Sequence, residues 1–79
     1  MNITVCYFGL LGERRGLSSE TLEVSAATPE ALYQELDATH GLGLSISDFR
    51  VAVNDEFVAW DHPLKNNDNV ALLPPMSGG

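Results

Sequence analysis

Thr28-Pro29-Glu30-Ala31-Leu32-Tyr33-Gln34-Glu35-Leu36-Asp37-Ala38-Thr39-His40-Gly41 is the stretch that decides the fold of this 79-residue chain. Thr28 can cap a helix, Pro29 suits the first helical position, and Glu30 favours the positive end of the dipole. Ala31, Leu32, Leu36 and Thr39 then fall near one face at helical spacing. Gly41 fits the residue just past the end, and His40 in the last turn suits the C-terminal carbonyls. The spacing predicts one helix over 29–40.

On either side the pattern changes to strands. Residues 2–8, Asn-Ile-Thr-Val-Cys-Tyr-Phe, are β-branched and aromatic, with Ile3, Val5 and Tyr7 on one face and Thr4, Cys6 and Phe8 on the other. Both faces carry apolar groups, which predicts a central strand. Residues 20–25 alternate as a half-exposed strand, antiparallel to the first. Between them Gly9, Gly12 and Gly16 punctuate a loop in which residues 10–15 can form a short helical turn. Arg14 and Arg15, half of the basic residues, are expected to be solvated there.

After the helix, residues 42–48 read as a loop with apolar pins. Residues 50–54 and 57–60 read as two strands joined by a turn at Asn54-Asp55-Glu56. Pro63 ends the second of these, Leu64 anchors the following loop, and Asn66-Asn67 makes a tight turn with Asn in a left-handed position. Residues 70–73 are the last strand, closed by Pro74. The order β-β-α-β-β-β predicts an α+β domain, a sheet of four or five strands with one helix across it, spanning 1–73 and followed by a tail at 74–79.

Composition sets the outer limits. An apolar fraction of 44% is that of a globular protein, with one small core. No apolar run approaches the roughly 20 residues that span a bilayer. The N-terminus lacks the pattern of a signal peptide, so a soluble, cytoplasmic protein is expected. Eleven carboxylates against four basic residues give a net charge of −7. That disfavours nucleic acid and anionic membranes and suits a partner with a basic surface. Cys6 is the single cysteine, so an internal disulfide or a Cys-based metal site is excluded. Asp61-His62 is a neighbour pair, but adjacent strand residues face opposite sides. No phosphate loop, nucleophile elbow or zinc motif occurs. The expectation is that the domain alone catalyses nothing.

The tail is chemically distinct. Pro74 and Pro75 restrict φ and remove two donors, so its base projects. From Pro74 to Gly79 an extended chain reaches about 20 Å. Gly78 and Gly79 offer the thinnest backbone, which a partner's pocket can enclose on all sides. The reactive group is then the α-carboxylate of Gly79. A carboxylate is a poor electrophile, and activation as an acyl-adenylate followed by attack of a sulfur donor would convert it to a nucleophilic thiocarboxylate.

The segments Trp60-Asp61-His62-Pro63-Leu64, Asn67-Asp68-Asn69-Val70-Ala71 and Pro74-Pro75-Met76-Ser77-Gly78-Gly79 carry a resemblance, joined by Tyr7-Phe8-Gly9 and by the helix start at Thr28. The chain resembles the MoaD family, the small sulfur-carrying subunits of molybdopterin synthase, over its full length. The resemblance implies a ubiquitin-like β-grasp fold. It implies that an E1-like adenylating enzyme using ATP and Mg²⁺ activates Gly79, that a sulfurtransferase supplies sulfur, and that this chain itself binds no cofactor. The tail, Pro74, Pro75, Met76, Ser77 and Gly78, would insert into the large catalytic subunit. Leu73 and Phe8 would touch that subunit's apolar surface. Sulfur would pass to cyclic pyranopterin monophosphate, within a heterotetramer of two carriers on a dimer of large subunits. Leu73 stands where the family often has an aromatic residue, Met76 where Val is usual, and Asn67 where glycine is common. A carrier for thiazole synthesis or tRNA thiolation, a protein modifier, and a non-catalytic adaptor are the alternatives.

Overall fold

A computed structural model describes residues 1–74, and the tail positions Pro75, Met76, Ser77, Gly78 and Gly79 lie outside the described residues. The chain order is β1 (Asn2–Tyr7), α1 (Leu10–Arg15), β2 (Ser19–Glu23), α2 (Pro29–His40), a 3₁₀ turn (Ile46–Asp48), β3 (Arg50–Val53), β4 (Glu56–Phe57) and β5 (Asn69–Leu73). The five strands form one sheet in the order β2-β1-β5-β3-β4. The β1–β2, β3–β4 and β3–β5 pairs are antiparallel, and β1 and β5 are parallel. This mixed sheet packed on one main helix is a β-grasp.

Helix α2 has the expected bounds. The Thr28 hydroxyl accepts from the Ala31 amide at 3.2 Å, and Gly41 takes a left-handed φ of 63° while its amide donates to Asp37 at 2.7 Å. Leu32 and Leu36 enter the core with Ile3, Val5, Leu42, Val51, Val70 and Leu72. Each such side chain contributes about 1.5–3 kcal/mol by leaving water. Two details differ from the helical period. Thr39 is exposed, on the wall of an open groove between β2 and the last turns of α2. Tyr33 is buried instead, its hydroxyl donating to the Leu44 carbonyl at 2.7 Å and its ring packing edge-on at 4.9 Å from Phe49.

The strand expected at 57–60 is a correction: β4 ends at Phe57. Trp60 leaves the sheet to pack edge-on against Phe49 at 5.3 Å, and its carbonyl accepts from the Glu30 amide, closing the first turn of α2. A side chain that fills the core and a carbonyl that satisfies a helix terminus outweigh two more ladder residues. The turn before β4 is as expected, with Asn54 and Asp55 at φ 51° and 71°. Residues 10–15 form a six-residue helix, and its arginines are engaged: Arg14 donates to the Leu42 carbonyl at 2.6 Å, and Arg15 grips Glu20 through two bonds of 2.7 Å.

The 65–69 turn is tied from within. Asn67 sits at φ 72°, and the buried Asp68 carboxylate accepts from the Lys65 amide at 2.8 Å and from the Asn54 amide group at 3.0 Å. The Lys65 bond is the main cause that holds the Asp68 carboxyl below the usual carboxylate range, against its burial.

Candidate functional site: the root of the tail

Strands β1 and β5 run side by side in the same direction, with Tyr7 opposite Leu72. Both therefore end at the same rim of the sheet. The Phe8 amide donates to the Leu72 carbonyl at 3.1 Å, and one further step of the register sets Phe8 beside Leu73. Pro74, exposed, follows directly. Phe8, far in sequence from Leu73 and Pro74, is thus brought beside them. Pro75 and residues 76–79 lie outside the described residues.

Among the described residues no second layer covers the sheet face turned away from α2, although Ala52 on it is itself buried between its neighbours. The register sets Cys6, Ala71, Ala52 and Phe57 in one row across four strands. Small alanines at its centre keep this row flat, the Phe57 ring stands at one end, and Phe8 lies beyond Cys6 at the rim. Phe8 is 47% and Phe57 56% exposed. Arg50, opposite Leu73, places its guanidinium 5.8 Å from the Phe57 ring centroid. Flat apolar surface with aromatic and Arg margins is the composition of a protein-binding face. Ala52, Ala71, Phe57 and Arg50 were not among the sequence-derived candidates. Their signal was the outward alternation of β3 and β5, which needs the strand pairing to be seen as one surface.

A smaller groove of about 210 Å³ opens beside Pro74. Phe8, Leu10, Leu11, Leu44 and Phe49 supply its apolar walls and Asp48 one charged edge. Its shape depends on Gly9, which adopts φ 61° and ψ −136° as the residue before α1. That backbone conformation is closed to residues with a side chain. A Cβ on Gly9 would lie 3.5 Å from Cγ of Pro74.

Helix α1 is anchored behind this groove. The Tyr7 hydroxyl donates to Glu20 at 2.6 Å, and Glu20 in turn accepts both bonds from Arg15. Burial, then the bond to Glu20, pushes the Tyr7 phenol well above its ordinary 10.0. Burial raises Glu20, but the bonds from Arg15 and Tyr7 outweigh it and leave the carboxyl below its usual range. The triad ties β1, β2 and α1 into one unit and contains no free nucleophile.

The Cys6 thiol lies half-buried on the open face, 3.6 Å from the Asn69 side-chain oxygen. His40 is exposed in the last turn of α2, and His62 lies by Asp68 at the opposite rim from Phe8. Among the described residues no three His, Cys, Asp or Glu side chains are grouped as a metal site would require. No described helix is long and apolar enough to cross a membrane.

The model of the ThiS family matches residues 5–79, and the chain belongs to that family. It is 35% identical over 80 residues to the molybdopterin synthase sulfur carrier subunit of Escherichia coli strain K12, covering 98% of this chain and 99% of that one. Among solved structures it is similar to the protein–protein complex of subunits 1 and 2 of molybdopterin-converting factor from Helicobacter pylori 26695. The TM-score is 0.70 and the identity 29%, with both chains covered fully. SAMP1 from Haloferax volcanii gives a TM-score of 0.80 at 25% identity, again over the whole of both chains.

Proposed function

We propose that this ThiS-family chain is the sulfur carrier subunit of a molybdopterin synthase and that the α-carboxylate of Gly79 is its reacting group. One observation carries the reading. The parallel pairing of β1 with β5 roots the tail at the rim of an uncovered apolar face, where Phe8, Leu73 and Pro74 meet. A partner that docks on that face receives the tail at a fixed origin. Full-length similarity to a protein named as such a subunit supports the same reading.

The chemistry follows from the carboxylate. An E1-like enzyme holding ATP and Mg²⁺ joins the Gly79 carboxylate to the α-phosphate and releases pyrophosphate. Attack of a sulfur donor on the acyl-adenylate expels AMP and leaves a thiocarboxylate. Its sulfur is then the nucleophile toward cyclic pyranopterin monophosphate in the large subunit's pocket, and water cleaves the acyl–sulfur bond, leaving the sulfur on the pterin and regenerating the Gly79 carboxylate. Gly78 and Gly79 pass a narrow channel because they carry no side chains. Pro74, Pro75, Met76 and Ser77 guide them, with Phe8 and Leu73 at the apolar contact. The net charge of −7 favours encounter with a basic large subunit, two carriers flanking a dimer of it.

The test is a single residue added after Gly79. The extended protein should fold normally and form no thiocarboxylate with the activating enzyme; an active extended protein overturns the reading. A protein-modifier role is the second reading, favoured by the likeness to SAMP1. Reconstitution with large subunit and pterin precursor separates the two, since a pure modifier yields no molybdopterin.

A further inference from the structure

One outer edge of the sheet carries a different feature. Strand β2 is the outer strand on one side of the sheet. Met1 exchanges two bonds with Val24, of 3.0 and 2.8 Å, and the antiparallel register continues with Ile3 opposite Leu22 and Val5 opposite Glu20. In such a ladder alternate residues turn their backbone groups to the partner. Residues 20, 22 and 24 therefore face β1, and the N–H and C=O groups of Thr21 and Glu23 point outward from the sheet.

Beside this edge runs a groove of about 820 Å³ between β2 and the last turns of α2. Met1, Leu22, Val24 and Leu36 form its apolar floor, with the exposed Thr39 on its helix side. The groove and the free edge share Leu22, Glu23 and Val24. Its margins carry Glu23 and Glu35, the latter held by the Ser25 hydroxyl at 2.9 Å. The Met1 ammonium, bonded to the Val24 carbonyl, is its cationic group, and His40 lines the helix side.

We infer that β2 is a docking edge for an extended segment of a partner protein that alternates apolar and basic side chains. The segment adds as a sixth strand beside β2. Its backbone satisfies Thr21 and Glu23, its apolar side chains fall on Leu22, Val24 and Leu36, and its basic side chains emerge on the face of Glu23. Charge selects this occupant over a second copy of the chain. A copy presenting its own β2 would bring Glu23 toward the same residue, in a molecule of net charge −7. Six residues of β1 separate the Met1 end from the Phe8 end, about 20 Å. A segment on β2 thus leaves the root of the tail open, and the inference is independent of what the tail does.

The probe is a capped synthetic peptide alternating valine and lysine, titrated into the ¹⁵N-labelled full chain. Amide shifts should concentrate at residues 21–25 and 35–40 while Phe8 and Leu73 stay still. Replacing the peptide's lysines by glutamate, or making Glu23→Lys in the protein, should weaken binding roughly tenfold. Absent shifts, shifts centred on Phe8 and Leu73, or equal binding of the glutamate peptide would overturn the inference. So would concentration-dependent shifts at 21–25 without peptide, which would give the edge to a second copy.

Discussion

Gly9 and Pro74 lie side by side at the top of the sheet: a Cβ on Gly9 would reach van der Waals contact with the Pro74 ring, at 3.5 Å. The turn that ends β1 and the residue that begins the tail are therefore neighbours in space. Gly9 also holds a backbone conformation that side chains exclude, with φ 61°.

Gly9→Ala should cost about 1–3 kcal/mol of stability, read as a lower urea midpoint with unchanged slope. Gly16 has a similarly left-handed φ of 76° with open space around it. Gly16→Ala should cost only about 1 kcal/mol, from backbone strain alone. Gly9→Ala should also slow activation of Gly79 beyond what its unfolded fraction explains. Equal effects of the two substitutions on activation would deny Gly9 a part in directing the tail.

Phe8→Asp and Phe57→Asp place charge on the open face without touching the core, since both rings are about half exposed. Stability should change by about 0.5 kcal/mol or less. Affinity for the large subunit, measured by calorimetry, should fall by about tenfold or more for Phe8→Asp, the ring nearest the tail. Unchanged affinity would place the docking surface elsewhere.

Leu32→Ala removes a side chain that is 1% exposed at the centre of the α2–sheet contact. The expected loss is about 2–5 kcal/mol. A domain of this size holds on the order of 4–12 kcal/mol in all, so the variant should be partly unfolded by modest heating, as circular dichroism would read.

Stability should fall at both ends of the pH scale. The carboxyls of Glu20 and Asp68 are held below their ordinary 4.5 and 3.8 in the folded state. Their contribution is therefore complete above those values and is lost as the pH drops through the folded pKa of each. The Tyr7 phenol is raised above 10.0, so its contribution is intact below that pH and declines as the pH climbs beyond it. Tyr7→Phe should lower stability by about 1 kcal/mol at neutral pH and flatten the alkaline limb in a denaturation series. An alkaline limb unchanged in that variant would assign it to another group.

Helix α2 was legible to the residue because a Thr cap, a Pro at the first position and a closing Gly are local signals that agree with the apolar period. The two-residue turn at Asn54-Asp55 was legible for the same reason, being written in side chains that tolerate positive φ. Residues 57–60 misled because Trp60 answers to Phe49 and to the first turn of α2, contacts that strand propensity cannot contain. Thr39 misled because periodicity does not reveal that the last turns of α2 border an open groove instead of the core. The flat face of Ala52, Ala71 and Phe57 was hidden until β1, β5, β3 and β4 were aligned, since its members come from both ends of the chain. Phe8 and Leu73 come from the family resemblance, not from a local signal; that they lie at one rim emerges only from the pairing of β1 with β5.

Intact-mass spectrometry of the protein isolated from its own host, under non-reducing and mildly buffered conditions, tests the proposal for Gly79 most directly. A fraction of molecules should carry one oxygen exchanged for sulfur, localised by fragmentation to Gly79. A C-terminus that is uniformly a plain or blocked acid, in cells actively making molybdopterin, would contradict it.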